Sequence, residues 1–303
     1  MHEMSLSKLG EFALIDRFKR LIKLDKTVFK GTGDDCAVLK FDRKHYQLLT
    51  SDMIVEGVDF TSGTNPYLVG RKAIAVSVSD IAACGGIPGH CLVSLAMPRQ
   101  TKLEFVDNLF RGMREVAEKY GINIVGGDLS RSRQLTIDVS MLGLVKKKEL
   151  VLRSGARAGD FIFLTGPLGG SFKSGHHLKF TPRIKESRYL AENFNLHSMV
   201  DISDGLIADL GHILERSQKG AVIYEELIPK NKYALSLKDA LYSGEDFELL
   251  FTLPQDAARR LLKKQKGMRF FLIGQIISGP KKILLVDVKR RCRELETKGF
   301  RHF

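Results

Sequence analysis

"PYLVGRKAIAVSVSDIAACGG", residues 66–86, and "HCLVSLAMP", residues 90–98, decide the fold class. Pro66 suits the first turn of a helix and Gly85-Gly86 its stop, so residues 66–86 predict a helix. Residues 90–98 are a continuous apolar run closed by proline, which predicts a buried strand. The alternation continues outward. "HYQLLTS" (45–51) reads as a strand ahead of the helix. "KLEFVDNLFRGMREVAEKYG" (102–121) is an amphipathic helix, apolar near every third or fourth position and stopped by Gly121. "INIVGGD" (122–128) is a short strand, and "QLTIDVSMLGLV" (134–145) alternates as a half-buried one. A helical lead-in is expected over the first twelve or so residues.

The texture changes at "VKKKELVLRSGARAGD" (145–160), which is charged and has no clear period. The division is therefore expected near residues 146–150, giving an N-terminal domain over 1–147 and a C-terminal domain over 148–303. The second half opens with a strand and Gly-rich turn, "FIFLTGPLGG", and a helix, "RIKESRYLAENF". The strand "SMVDIS" then feeds the helix "DGLIADLGHILERS", on which Leu206, Leu210, Ile213 and Leu214 share one face. "GAVIYEEL", "FELLFTLP", "FLIGQII" and "KILLVD" are strands, with the helix "QDAARRLLKK" among them. Strands and helices mix in both halves, so each half is expected to be a sheet covered by helices, an α/β (α+β) class.

Composition narrows the partners. The 303 residues are 44% apolar, enough for proper cores, and carry a net charge of +13. The basic residues are dispersed rather than gathered in a stripe, and few aromatics accompany them. No nucleic-acid partner is expected, and a basic surface that draws in anionic metabolites accounts for the charge equally well. No run of 18 apolar residues exists, so no membrane span is expected, and the N-terminal stretch lacks a secretion pattern, so the expected location is cytoplasmic. The four cysteines, Cys36, Cys84, Cys91 and Cys292, form no CxxC pair and read as free thiols rather than zinc ligands or disulfides.

The chemistry sits in recurrent aspartates. "GTGDDCAV", "TSDMIVEG", "VSVSDIAACGG", "IVGGDLS" and "MVDISDGLIADL" each set Asp beside Gly or Ser in apolar surroundings. No phosphate loop of the GxxxxGK[ST] kind occurs. A loop holding Asp34 and Asp35 would repel bare phosphates, and makes sense if divalent cations stand between carboxylate and phosphate. Simpler readings stay open for each residue alone. Asp52 and Gly126-Gly127-Asp128 suit turns. Ser203-Asp204 suits a helix cap. Asp80 is harder to explain, because an unpaired charge inside an apolar helix is costly. Glu245 and Asp246 in "YSGEDFELLF" suit either a turn or a carboxylate that holds a cationic or hydroxyl-bearing substrate. Arg153 suits either a phosphate or a partner Asp.

These motifs together resemble the thiamine-monophosphate kinase family, of the superfamily that includes aminoimidazole ribonucleotide synthetase and selenophosphate synthetase. The resemblance runs nearly end to end, from "GEFALIDRF" through "GTGDDCAVL", "LLTSDMIVEGVDF", "GRKAIAVSVSDIAACGGIP", "IVGGDLSRS", "RSGARAGD" and "MVDISDGLIADLGHIL" to "SGEDFELLFTLP" and "KGFRHF". It implies transfer of the γ-phosphoryl of ATP to thiamine phosphate, directly and in line. Asp35, Thr50, Ser51, Asp52, Asp80, Asp128, Asp201 and Asp204 would hold several Mg²⁺ ions. Tyr120, Gly127, Asp128, Arg153 and Ser203 would contact ATP, and Asp59, Glu245 and Phe300 the acceptor. The implied architecture is a two-domain fold whose N-terminal sheets pair into a barrel-like homodimer core, with a C-terminal α/β domain closing the cleft.

Three departures stand out. Asp59 occupies a position where the family usually has His, which leaves open a changed acceptor. "TSD" stands for the commoner "TTD". The segment 171–197 is short and carries the unfamiliar "GHHLKFTPRIKESR", whose His176 and His177 read as loop histidines and which would shorten a flap over the acceptor. Two alternatives compete: a synthetase or kinase of the same superfamily acting on another small acceptor, and a non-catalytic relative that binds nucleic acid. Selenophosphate chemistry would call for a reactive Cys and a Lys in a Gly-rich stretch, whereas Cys36 follows the Asp pair.

Overall fold

The structure is a computed structural model that describes residues 10–297 and Gly299. Two sheets carry the chain, so the α/β (α+β) class holds. The expected helical lead-in falls largely outside the described residues, which open instead on helix α1, Glu11–Leu21. The first sheet contains β1 (Val28–Lys30), β2 (Ala37–Lys40), β3 (His45–Val55), β4 (Ile87–Met97), β5 (Asn123–Arg131) and β6 (Thr136–Lys146), in the order β1-β2-β3-β6-β4-β5. All its pairings are antiparallel except β4 with β5. Helices α2 (Pro66–Ala83) and α3 (Leu103–Tyr120) cover one face.

The second sheet contains β7 (Phe161–Leu164), β8 (Ser198–Asp201), β9 (Gly220–Tyr224), β10 (Leu249–Leu253), β11 (Phe271–Ile277), β12 (Ile283–Val286) and β13 (Cys292–Leu295). Its order is β13-β12-β9-β11-β7-β10-β8, parallel only between β9 and β12. Helices α4 (Ile184–Asn193), α5 (Leu206–Ser217) and α6 (Gln255–Lys263) belong to this half. Leu206, Leu210, Ile213 and Leu214 all lie in its core, as their spacing predicts.

Helix α2 organises the molecule. It is buried nearly all round, from Val69 to Ala83, because it touches β3 and β6 on one side and β8 and α4 on the other. A helix apolar on every side has to be enclosed in this way. Asn65 caps it by accepting from the Tyr67 N–H at 3.0 Å. Its crossing with α3 is close: a Cβ on Gly70 would lie 1.9 Å from the Leu109 carbonyl, and one on Gly112 1.9 Å from the Tyr67 carbonyl. Glycine at both positions is what lets the backbones meet.

Candidate functional site

Strand β3 alternates, so Thr50 and Asp52 point toward α2 while Ser51 points to the open face of the sheet. On α2, residues two apart face nearly opposite ways. Ser77 donates to the Asp52 carboxylate of the first sheet at 2.7 Å, and Ser79 donates to Asp201, at the end of β8, at 2.6 Å. Asp80 accepts from the Thr50 hydroxyl. The helix thus draws carboxylates from both sheets into one place, and carboxyl oxygens of Asp35, Asp80 and Asp201 lie within 4.8 Å of one another.

These groups oppose one another. Burial, followed by the charges of Asp52, Asp201 and Asp35, pushes the Asp80 carboxyl well up from its ordinary value. Burial likewise raises Asp201, with Asp35 the next cause, and raises Asp52 despite the Ser77 bond. Two unit charges at this separation repel by about 3 kcal/mol at an effective dielectric constant of about 20. Arg153 supplies one counter-charge, its Nη2 donating to Asp35 Oδ1 at 2.7 Å, while its backbone N–H donates to Asp34 at 2.6 Å. Asp35 Oδ2 is buried with no hydrogen-bond partner among the described residues. A set of hard carboxylate oxygens, incompletely paired and with one oxygen orphaned, fits a divalent cation.

The remaining candidates divide. Ser51 donates to Asp138 at 3.0 Å, and Asp128 on β5 is in register with Ser94, itself in register with Asp138. Register thus puts Asp128 and Asp138 on one face, the open side of the sheet, with β4 between them. Gly127 beside Asp128 runs so close to β4 that a Cβ would lie 1.7 Å from the Val93 carbonyl. Tyr120 ends α3, where its hydroxyl donates to the Pro182 carbonyl at 3.3 Å and burial pushes it up to about 12.

Ser203 and Asp204 do not cap α5. The N-cap is Gly205, without a side-chain cap bond, and Asp209 reaches back to accept from the N–H groups of Asp204 and Gly205 at 3.2 and 3.1 Å. Asp209 wins because it lies on the buried face of the first turns, 1% exposed, where its carboxylate meets the free amides directly. Ligand atoms of Asp204, Asp209 and His212 also fall within 4.8 Å of one another.

The "GEDFELL" run separates into distinct tasks. Asp246 accepts from the Gly169 N–H at 2.9 Å and from Ser171, so it shapes the Gly-rich turn after β7. Glu248 accepts from Thr165 at 2.6 Å and from Arg183 at 2.7 Å. Glu245 instead crosses to α2 and pairs with Lys72. The Lys72 ammonium also donates to the Asp59 carbonyl at 2.9 Å, while the Asp59 carboxylate accepts from the Val55 N–H at 2.8 Å. Phe300 lies outside the described residues. In the unfamiliar 175–188 segment, Phe180 stacks on Phe247 at 4.0 Å and Ser187 donates to the Ala82 carbonyl at 2.5 Å, so the segment is packed against α2.

Sequence reasoning passed over Lys72, Asp209, His212 and Asp138. Lys72 had the same signal as Asp80, a charge inside an apolar helix. Asp209 and His212 are three apart, hence on one helical face. Asp138 had none, since an Asp in an alternating strand normally faces water.

Models of the AIR synthase related protein family match the chain, the N-terminal domain over residues 33–145 and the C-terminal domain over 154–287. Thiamine-monophosphate kinase of Buchnera aphidicola from Schizaphis graminum is 34% identical, over 97% of this chain and 99% of its own length. That of Aquifex aeolicus is 34% identical over 99% and 100%, and that of Escherichia coli 33% over 97% and 98%. A solved structure, AaThiL complexed with AMPPCP and TMP, superposes with a TM-score of 0.88 at 31% identity, covering all of both chains. The HypE-HypF complex, at 19% identity over 94% of this chain and 99% of its own, shares the fold with a TM-score of 0.76.

Proposed function

The chain belongs to the thiamine-monophosphate kinase family, and from that premise we propose that it transfers the terminal phosphoryl group of ATP to thiamine phosphate, giving thiamine diphosphate. One observation carries the reading: α2 gathers carboxylates of both sheets at Asp80 and meets the Glu245 corner at Lys72. Eight residues separate those points, about 12 Å along a helix axis. A small organic phosphate spans that interval, its ring at Glu245 and its phosphate toward the aspartates.

The roles follow from what each group presents. Asp35, Asp80 and Asp201, with Thr50 and Asp52 beside them, would hold Mg²⁺. Ser51 and Asp128 would do so from the open face, and Asp204 from the start of α5. Bound there, the metal supplies neutralisation of the phosphate oxygens as the phosphoryl group moves. Arg153, Ser203, Gly127 and Tyr120 are assigned to ATP, whose orientation they would fix. The acceptor phosphate is already an anionic nucleophile, so positioning and charge, rather than a general base, are what the chain has to contribute. Residues 1–147 would carry the nucleotide and metal, and residues 148–303 would close the cleft.

A homodimer is part of the same reading. The open face of the first sheet exposes Leu49, Met53, Ile87, Leu92 and Leu144 by 38 to 58%. An apolar sheet face of this kind marks an interface, here the barrel-like pairing of two first sheets. Leu92→Asp is expected to convert the dimer to monomer in sedimentation, and an unchanged sedimentation coefficient would reject the pairing.

The decisive assay incubates purified protein with ATP, Mg²⁺ and a panel of phosphorylated acceptors, reading product masses. Thiamine phosphate should gain one phosphate. Turnover confined to another acceptor would overturn the substrate, and the Asp59 departure would then be its first explanation.

A further inference from the structure

Lys72 is 1% exposed among apolar neighbours on α2, and a lysine so placed is tolerated only when its charge is met. Its ammonium makes two bonds, one to each half of the chain. One goes to the Asp59 carbonyl at 2.9 Å, in the turn that follows β3 of the first sheet. The other goes to Glu245 Oε2, in the loop that precedes β10 of the second. The two segments differ in how far they hold themselves: the Asp59 turn closes on itself through Val58 and Asp59 N–H groups to the Val55 carbonyl, and the Glu245 loop needs an outside hold. The Asp59 carboxylate is already bonded to the Val55 N–H within its own turn. The Glu245 loop runs through left-handed backbone at Gly244, Glu245 and Phe247, with φ of 66°, 61° and 50°. Non-glycine residues keep such angles only when their surroundings over-determine them. The loop's amides supply part of that hold, Glu245 N–H to the Ser203 carbonyl at 2.7 Å and Phe247 N–H to Ile202 at 2.8 Å. Neither bond orients the Glu245 side chain. Lys72 does, and it occupies Oε2 while Oε1 makes no hydrogen bond among the described residues.

We propose that Lys72 is a positioning residue for the acceptor: one buried ammonium locks the Glu245 carboxylate and the Asp59 turn in a single geometry, leaving Glu245 Oε1 to meet the heterocycle of thiamine phosphate. This rests on the kinase reading and on Glu245 as an acceptor contact. Lys72 touches no reacting atom and lies two helical turns from Asp80, so it acts on acceptor binding and leaves ATP binding alone.

Steady-state kinetics of the full chain test it. Lys72→Met is expected to raise the KM for thiamine phosphate about tenfold with the KM for ATP within about twofold, the pattern of a lost binding interaction. In a Glu245→Gln background the same substitution should add less than about twofold, because its effect passes through Glu245. Equal rises in both KM values, or effects that multiply in the double variant, would overturn the proposal. If Lys72→Met does not fold, Lys72→Arg carries the same test: its broader head disturbs the two-way bond, and an unchanged acceptor KM counts against the role. A parent enzyme that phosphorylates only a different acceptor sinks the substrate assignment instead, and the KM split measured with that acceptor still decides Lys72.

Discussion

The two ends of α2 hold carboxylates in opposite states of compensation. Around Asp80, carboxylates from β3, β8 and the loop before β2 crowd together, with Arg153 as a partial counter-charge and Asp35 Oδ2 without a partner among the described residues. Around Lys72, Glu245 has a charged partner on Oε2 and Asp59 is bonded through both its carbonyl and its carboxylate. The first arrangement is costly to the folded protein and makes sense as a place kept for cations. The second is anchored by one ammonium, which fixes its geometry and leaves one Glu245 oxygen for a ligand. Carboxylates thus suit cations where their charges oppose one another, and a held geometry where a lysine answers them.

That contrast can be broken most sharply at Asp80. Asp80→Asn should lower kcat by about a thousandfold or more, since metal-held charge is the main source of rate here. The metal-free variant should melt higher than the parent, because burial and three neighbouring carboxylates oppose the Asp80 charge. Added Mg²⁺ should raise the parent's Tm more than the variant's, as a ligand of the folded state does. A variant melting lower than the parent in chelator would show that the cluster is already compensated.

Removing the carboxylate at the other end should have the opposite sign on stability. Glu245→Ala leaves the Lys72 ammonium buried without its partner, a loss of about 3 kcal/mol. Urea unfolding measures it. The KM for thiamine phosphate should also rise more than that for ATP. Unchanged unfolding would mean that Lys72 finds water, and the contrast would fail.

The smallest effect concerns His177, which packs on Phe172 at 4.4 Å near the same corner. Burial holds its imidazole pKa down at about 4 against an ordinary 6.5, and Lys72 adds to this. Between those values the unfolded chain binds a proton that the folded chain refuses, so stability falls as pH drops through that window. His177→Phe removes this loss. Its Tm relative to the parent should rise between pH 7 and pH 4.5, and parallel curves would mean the ring titrates normally.

Much of this was legible in the chain. The helix over 66–83 could be read from Pro66, the glycine stop and apolar continuity, which are local signals. Asp80 could be singled out because burying a charge is expensive wherever the helix packs. The alternation of β3 even predicts that Thr50 and Asp52 share a face and that Ser51 leaves it. What faces what was not legible. Ser203 and Asp204 carried a capping signal, yet Asp209 does the capping, because the buried side of α5 decides which carboxylate reaches the free amides. Asp246 and Glu245 are adjacent, yet one shapes a turn and the other crosses to Lys72.

By itself the sequence determined the long helices, the central strands of both sheets and the kind of chemistry, since periodicity, glycine stops and carboxylate type are properties of neighbouring residues; the short edge strands β1, β2 and β13 carried no such signal. Only the tertiary structure decided which aspartates converge, that Arg153 answers Asp35, and that Lys72 joins the turn after β3 to the loop before β10. The Arg153 and Lys72 contacts join residues 118 and 173 positions apart, a separation no local pattern in the chain can report.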